Sequence, residues 1–186
     1  MRFYRRLLPF QAISFDLDDT LYSNHPIMLA TDKAMVGYFA HVLTDYGITQ
    51  RNTLYDFRFW FPYRQQAIAR WPHLKHDVGL LRQKSYFLGA LALGLNNDNA
   101  AEFADAGLSF FTEQRSSFSL PQTTHDFLAD LQRKKPLVAI TNGNVDTDRI
   151  GIAQYFTHHF HASIENRLKP DADMFNKTCT ALSIEP

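Results

Sequence analysis

Apolar residues fall at even spacing in Gln11–Leu17 (QAISFDL), with Ile13, Phe15 and Leu17 in phase before the run ends in carboxylates. A short alternating run of this kind predicts a buried strand whose C-terminal end carries polar chemistry. A second apolar run, Pro136–Thr141 (PLVAIT), is closed by Asn142 and Gly143 and predicts another strand. Ahead of it, Phe127, Leu128 and Leu131 share one face of a helix predicted over Thr124–Lys134, with Lys and Arg gathered where the helix dipole favours cations. A weaker strand is expected over Phe160–Ile164, then a loop and a helix from about Asp171 to Leu182.

The stretch between the first strand and Thr124 has a different character. It shows helical periodicity over Met28–Leu43, Leu54–Trp71, Val78–Leu93 and Ala100–Phe111, with breaks at Gly47, Pro72 and Asn96–Asn99. The expected fold class is therefore α/β: a core with a parallel sheet, formed by residues 1–23 and 119–186, interrupted by an all-helical unit over residues 24–118.

Composition narrows the function classes. The chain has 186 residues, 45% hydrophobic and 14% aromatic, and its 19 basic and 19 acidic side chains cancel. That apolar content excludes a disordered chain. The zero balance argues against nucleic acid as a partner, since phosphate backbones select an excess of Lys and Arg. One cysteine, Cys179, excludes an intrachain disulfide framework and a multi-cysteine zinc site. The basic Arg2, Arg5 and Arg6 precede an apolar stretch that Pro9 and Gln11 break, so no signal peptide is expected, and no run is long enough for a membrane span. A soluble, cytoplasmic, globular protein is expected.

The chemistry gathers at the predicted strand ends. Asp16 and Asp18 stand at i and i+2 in an extended segment, on one face, close enough to divide labour between nucleophile and proton donor or to share a divalent cation. Thr141-Asn142-Gly143 offers a hydroxyl and backbone N–H groups at the same sheet edge, and Lys169-Pro170 supplies a cation ahead of the last helix. The ordered set F-D-L-D-D-T-L, I-T-N-G and K-P resembles the haloacid dehalogenase-like hydrolase superfamily, whose core is Rossmann-like. The helical unit resembles that superfamily's class 1 cap.

The resemblance implies a mechanism. Asp16 would attack phosphorus and form an aspartyl-phosphate, and Asp18 would protonate the leaving oxygen and then activate water. Mg2+ would bind the Asp16 carboxylate and the Asp18 main-chain carbonyl. Thr141 and the Asn142 N–H would hold a phosphoryl oxygen, and Lys169 would offset negative charge. Thr20, Asn142, Gly143 and, on the helical unit, Arg82 are the candidate phosphate- and substrate-binding residues. Superfamily members that cleave carbon–halogen bonds lack an acid at the position of Asp18, so the resemblance implies a phosphatase of a small phosphorylated metabolite. The opening MRFYR, the first motif with its Tyr22, His76-Asp77-Val78 and V-A-I-T-N-G-N look like bacterial phosphatases of flavin mononucleotide and of a phosphorylated pyrimidine of riboflavin synthesis. Phosphoglycolate and sugar phosphates remain alternatives within the superfamily.

One family motif, an acidic pair after a further strand, does not occur before Pro186. The chain therefore reads as a truncated enzyme, with an inactive phosphate-binding module as the alternative. The strand bearing Asp16 is expected to have an unpaired edge. Asp171 and Asp173 read as helix-capping residues. Tyr55–Tyr63 holds six aromatics in nine positions and reads chiefly as core of the helical unit, with one or two rings free to face the cleft. Arg82 on an exposed helix face would ordinarily be solvated, His159 and His161 share a strand face with no third metal ligand, and Cys179 reads as buried core.

Overall fold

The computed structural model describes residues 9–49 and 54–185, so the opening MRFYR lies outside the described residues. Three parallel strands, Ile13–Phe15 (β1), Leu137–Thr141 (β2) and His158–His161 (β3), form one sheet in the order β1-β2-β3. Phe15 pairs with Ala139 on one side of β2, and Thr141 pairs with His161 on the other. Because the strands are parallel, the residues that follow them emerge at one edge.

Helices cover both faces of β2. Leu137 and Ala139 pack with Leu128 of Gln122–Gln132 (α5), while Val138 and Ile140 pack with Met174 of Asp173–Leu182 (α6). Burial on both sides is why PLVAIT reads as a continuous apolar run. β1 corrects the expectation of a buried strand: Ile13 and Phe15 are half-buried and Ser14 is exposed. Among the described residues β1 pairs with β2 alone and lies at the sheet edge, the open edge that was expected. It is also shorter than QAISFDL, because Leu17 O accepts from the N–H groups of Thr20 at 3.2 Å and Leu21 at 3.0 Å, turning the chain at once. β3 starts two residues before the expected Phe160.

The central stretch forms Asn24–Asp45 (α1), Phe57–Arg70 (α2), Val78–Ala92 (α3) and Asn97–Arg115 (α4). Capping side chains set their starts. Asp56 Oδ1 accepts from Arg58 N at 3.0 Å, Asp77 Oδ1 from Leu80 N at 2.8 Å, and Asn96 Oδ1 from Asn99 N at 2.8 Å. α2 therefore begins at Phe57 rather than at Leu54, and α4 begins at Asn97, inside the stretch that reads as a break.

These four helices bury one aromatic cluster. The Phe39 ring lies 4.5 Å from that of Trp60, 4.8 Å from Tyr86 and 5.2 Å from Phe103, centroid to centroid. A Cβ on Gly89 would stand 2.5 Å from Trp60 Cζ3, so a side chain there would part α2 and α3. Tyr55 and Trp60 are buried, as the core reading of the aromatic segment expects, whereas Phe57 is 60% exposed and Phe61 43%. Among the described residues no helix is long and apolar enough to cross a membrane.

Candidate active site

Asp16 follows β1 directly and is turned toward Lys169. Its Oδ1 lies 2.8 Å from Lys169 Nζ and accepts the Leu17 N–H at 2.8 Å. Oδ2 meets no donor among the described residues, and the side chain is 44% exposed. One oxygen is held and the other is left to solvent. Lys169 is fixed in turn: Nζ also donates to Ile140 O at 2.7 Å, Lys169 N donates to Asn142 Oδ1 at 2.7 Å, and Asn142 Nδ2 donates to Lys169 O at 3.2 Å. The side chain of Asn142 thus clamps the loop that presents the lysine.

Asp18 shows the same division. Its Oδ1 accepts from Tyr22 Oη at 2.7 Å and from Arg115 Nη2, whose side chain is only 2% exposed. Its Oδ2 faces Gly143, where an added Cβ would stand 2.6 Å from that oxygen. A glycine is required there because the loops after β1 and β2 meet at van der Waals distance. Burial, reinforced by the hydrogen bond to Asp18, raises the pKa of Tyr22 far above that of an ordinary phenol, so the hydroxyl stays protonated and donates. Neither Tyr22 nor Arg115 stands out as a site residue in sequence. The readable signal for Arg115 is its phase: it continues the buried i, i+4 series Phe103, Gly107, Phe111, where a charge is out of place.

Thr141, at the end of β2, is 1% exposed, and its Oγ1 accepts the Gly143 N–H at 3.0 Å. Asp19 lies in the left-handed region at φ 56° and accepts the Asn24 N–H at 2.8 Å, so the turn after Asp18 is locked to the first turn of α1. Thr20 is exposed in that turn, and its hydroxyl meets no protein partner among the described residues. The helical unit reaches the site through His76, whose Nδ1 accepts the Leu168 N–H at 3.3 Å, next to Lys169.

The remaining sequence-based expectations are met unevenly. Arg82 is not a solvated surface residue: its guanidinium lies 3.5 Å from the Phe111 ring centroid, and its Nε is buried without a hydrogen-bond partner among the described residues. It lines a cavity in the helical unit rather than touching the Asp16 cluster. Asp173 makes no side-chain cap. It accepts from Arg167 N at 3.2 Å and Nε at 2.9 Å, tying α6 to the loop that leads into Lys169. His159 and His161 share a strand face without a third metal ligand among the described residues, and line a cleft with Gly143 and Asp77. Cys179 is half-buried rather than core.

The donor set at the strand ends suits a hard cation. Among the described residues no cluster of three or more His, Cys, Asp or Glu forms a closed metal cage. Magnesium does not need one, since it keeps several waters and binds through one or two carboxylates together with substrate phosphate. The exposed Asp16 carboxylate and the main-chain carbonyl of Asp18 are oxygen ligands of the required kind.

A family model described as haloacid dehalogenase-like hydrolase matches residues 10–186. The chain is 35% identical over 184 residues to the 5-amino-6-(5-phospho-D-ribitylamino)uracil phosphatase YigB of Escherichia coli (strain K12), covering 99% of this chain and 75% of that protein. Among solved structures, a 2-haloacid dehalogenase from Pseudomonas syringae pv. tomato DC3000 matches with a TM-score of 0.84 at 25% identity, over 95% of this chain and 74% of the other. The magnesium-bound HAD-hydrolase YfnB of Bacillus subtilis matches with a TM-score of 0.54 at 15% identity, over 92% of this chain and 73% of the other, a likeness of fold.

Proposed function

This chain belongs to the haloacid dehalogenase-like hydrolase family, and from that premise we propose that it is a cytoplasmic, magnesium-dependent phosphomonoesterase of a small phosphorylated metabolite. Flavin mononucleotide or 5-amino-6-(5-phospho-D-ribitylamino)uracil is the substrate, the latter named for the relative at 35% identity. The observation that supports this reading is the pair Asp16 and Asp18, each with one oxygen held by donors and one left free at the same sheet edge.

The undonated Oδ2 of Asp16 attacks phosphorus in line; an Asp16 O–P bond forms as the ester O–P bond breaks. Asp18 Oδ2 gives its proton to the departing alkoxide. Water then attacks the aspartyl-phosphate, Asp18 takes up its proton, and inorganic phosphate leaves with Asp16 restored. Lys169, held on Asp16 Oδ1 at 2.8 Å, balances the charge of carboxylate and phosphoryl group together. The Thr141 hydroxyl, the Asn142 N–H and the Gly143 loop receive phosphoryl oxygens, and exposed Thr20 stands at the entrance. The Asp16 carboxylate and the Asp18 carbonyl would hold magnesium, which would supply positive charge to the phosphoryl oxygens.

The similarity to a 2-haloacid dehalogenase raises halide displacement as a competing chemistry. A halide leaves without a proton, so that reaction gives no task to Asp18 or to the Tyr22 and Arg115 that hold it. An alkoxide leaving group needs all of them. In this reading residues 24–118 form the cap that closes over the core of residues 1–23 and 119–186 and excludes water.

The test is phosphate release in the presence of Mg2+ from flavin mononucleotide, the ribitylaminouracil phosphate, phosphoglycolate and sugar phosphates. Release from either ring-bearing substrate, abolished by a chelator and restored by Mg2+, is expected. Release of halide from a 2-haloacid, or no phosphate release from any of the panel, contradicts the proposal.

A further inference from the structure

The helical unit encloses a cavity of about 310 Å³, within the range of small-ligand sites. Its walls are largely apolar, with Met28 and Met35 from α1 and the exposed Phe57 and Phe61 at α2. Asp32, Asp56, Arg64 and Arg82 are the charged side chains of this lining, and Asp56 is already engaged by Arg58 at 2.8 Å. Asp32 and Arg82 are close enough to influence each other's charge, yet they form no ion pair within 4.0 Å among the described residues. The Asp32 carboxylate is half-buried and receives no hydrogen bond among the described residues. Arg82 Nε is buried without an acceptor, its guanidinium face fixed against Phe111. An anionic and a cationic side chain therefore line one largely apolar space without pairing with each other, an arrangement that a third group bridging them would relieve.

We propose that this cavity is the ring-binding site of the enzyme, with Asp32 accepting the N–H of a planar imide edge and Arg82, supported by Arg64, donating to the adjoining carbonyl. This rests on the phosphatase reading above and adds the class of substrate that the helical unit selects. The pyrimidinedione edge, an N–H between two carbonyls, is common to the ribitylaminouracil and to the flavin ring, so one set of residues serves both. Burial shifts the balance at two of these groups, raising the pKa of Asp32 and, with Arg82 beside it, lowering that of Arg64. Each gains when a ligand supplies the missing hydrogen bonds.

Position agrees with chemistry. The first turn of α1 is bonded to Asp19, and Asp32 lies eight residues along that helix from Asn24, about 12 Å at 1.5 Å per residue. A five-carbon chain between phosphate and ring suits such a span, whereas a two-carbon ester does not. Val78 borders both this cavity and the cleft that Gly143 and His161 line, so the two spaces adjoin.

The test compares kcat/KM for flavin mononucleotide with that for phosphoglycolate, together with riboflavin binding by fluorescence quenching, in the wild-type chain, Asp32→Leu and Asp32→Asn. Asp32→Leu is expected to lower the flavin-to-glycolate ratio at least about tenfold and to weaken riboflavin binding by a similar factor, the loss of a hydrogen bond to a charged group. Asp32→Asn keeps an acceptor and is expected to recover part of both. Equal losses on the two substrates, or unaltered riboflavin binding in Asp32→Leu, would overturn the ring site. A wild type that binds riboflavin through Asp32 but releases no phosphate would overturn the phosphatase reading and leave the ring site standing.

Discussion

Arg115, the last residue of α4, donates through Nη2 to Oδ1 of Asp18, so the helix that closes the helical unit ends on the carboxylate two residues beyond Asp16. Tyr22 donates to the same oxygen at 2.7 Å, which leaves Oδ2, the oxygen against Gly143, as the one to which the proposed mechanism gives proton transfer. Arg115→Met is expected to cost about 2 kcal/mol of stability through loss of a charged hydrogen bond. Its kinetic signature is selective. Turnover of an alkyl phosphate, which needs a proton on the leaving oxygen, should fall much more than turnover of p-nitrophenyl phosphate, which does not. A uniform loss across leaving groups would make Arg115 merely structural.

Gly143→Ala places a methyl group 2.6 Å from Asp18 Oδ2, and either the loop or the carboxylate must move. A displacement near 1 Å at reacting groups can cost about 100-fold in rate. The expected result is a fall in kcat of that order with a melting temperature little changed, since the site is partly open to water. Wild-type kinetics in this variant would mean that Oδ2 does not work where it stands.

Gly89→Ala is a control on the helical unit. The added Cβ meets Trp60 Cζ3 at 2.5 Å and Cε3 at 2.9 Å in a core with no space to yield, and overpacking of this kind costs about 1–3 kcal/mol. Chemical denaturation should report that loss.

His159 predicts an acid sensitivity. Burial first, and then the charge of His161, lower its pKa below the ordinary 6.5. Between the folded value and 6.5 the unfolded chain binds more protons, so stability falls as pH falls through that window and is fully present above it. The melting temperature of the wild type should drop between about pH 7 and about pH 5, and His159→Gln should drop less. Identical pH profiles would remove His159 as the cause.

The parts legible in sequence were those with local patterns. The apolar run PLVAIT shows β2 because that strand is buried on both faces, and the carboxylates and T-N-G mark the strand ends because chemistry collects there. What was not legible depends on contacts between distant segments. β1 carries the phase of a buried strand yet is only half-buried, and its open edge was readable from the order of the family's motifs rather than from its own residues. Arg115 meets Asp18 across 97 positions of chain, and Asp32 and Arg82 come to one cavity from different helices. Asp173 resembles a cap but serves Arg167, because the loop carrying Lys169 folds back over the start of α6.

The central claim is that Asp16 becomes covalently phosphorylated. Wild-type protein mixed with flavin mononucleotide and Mg2+, quenched in acid and digested, should yield a phosphoryl adduct on the peptide containing Asp16. Asp16→Asn should yield none and release no phosphate. An adduct on another residue, or phosphate release retained by Asp16→Asn, would contradict the account.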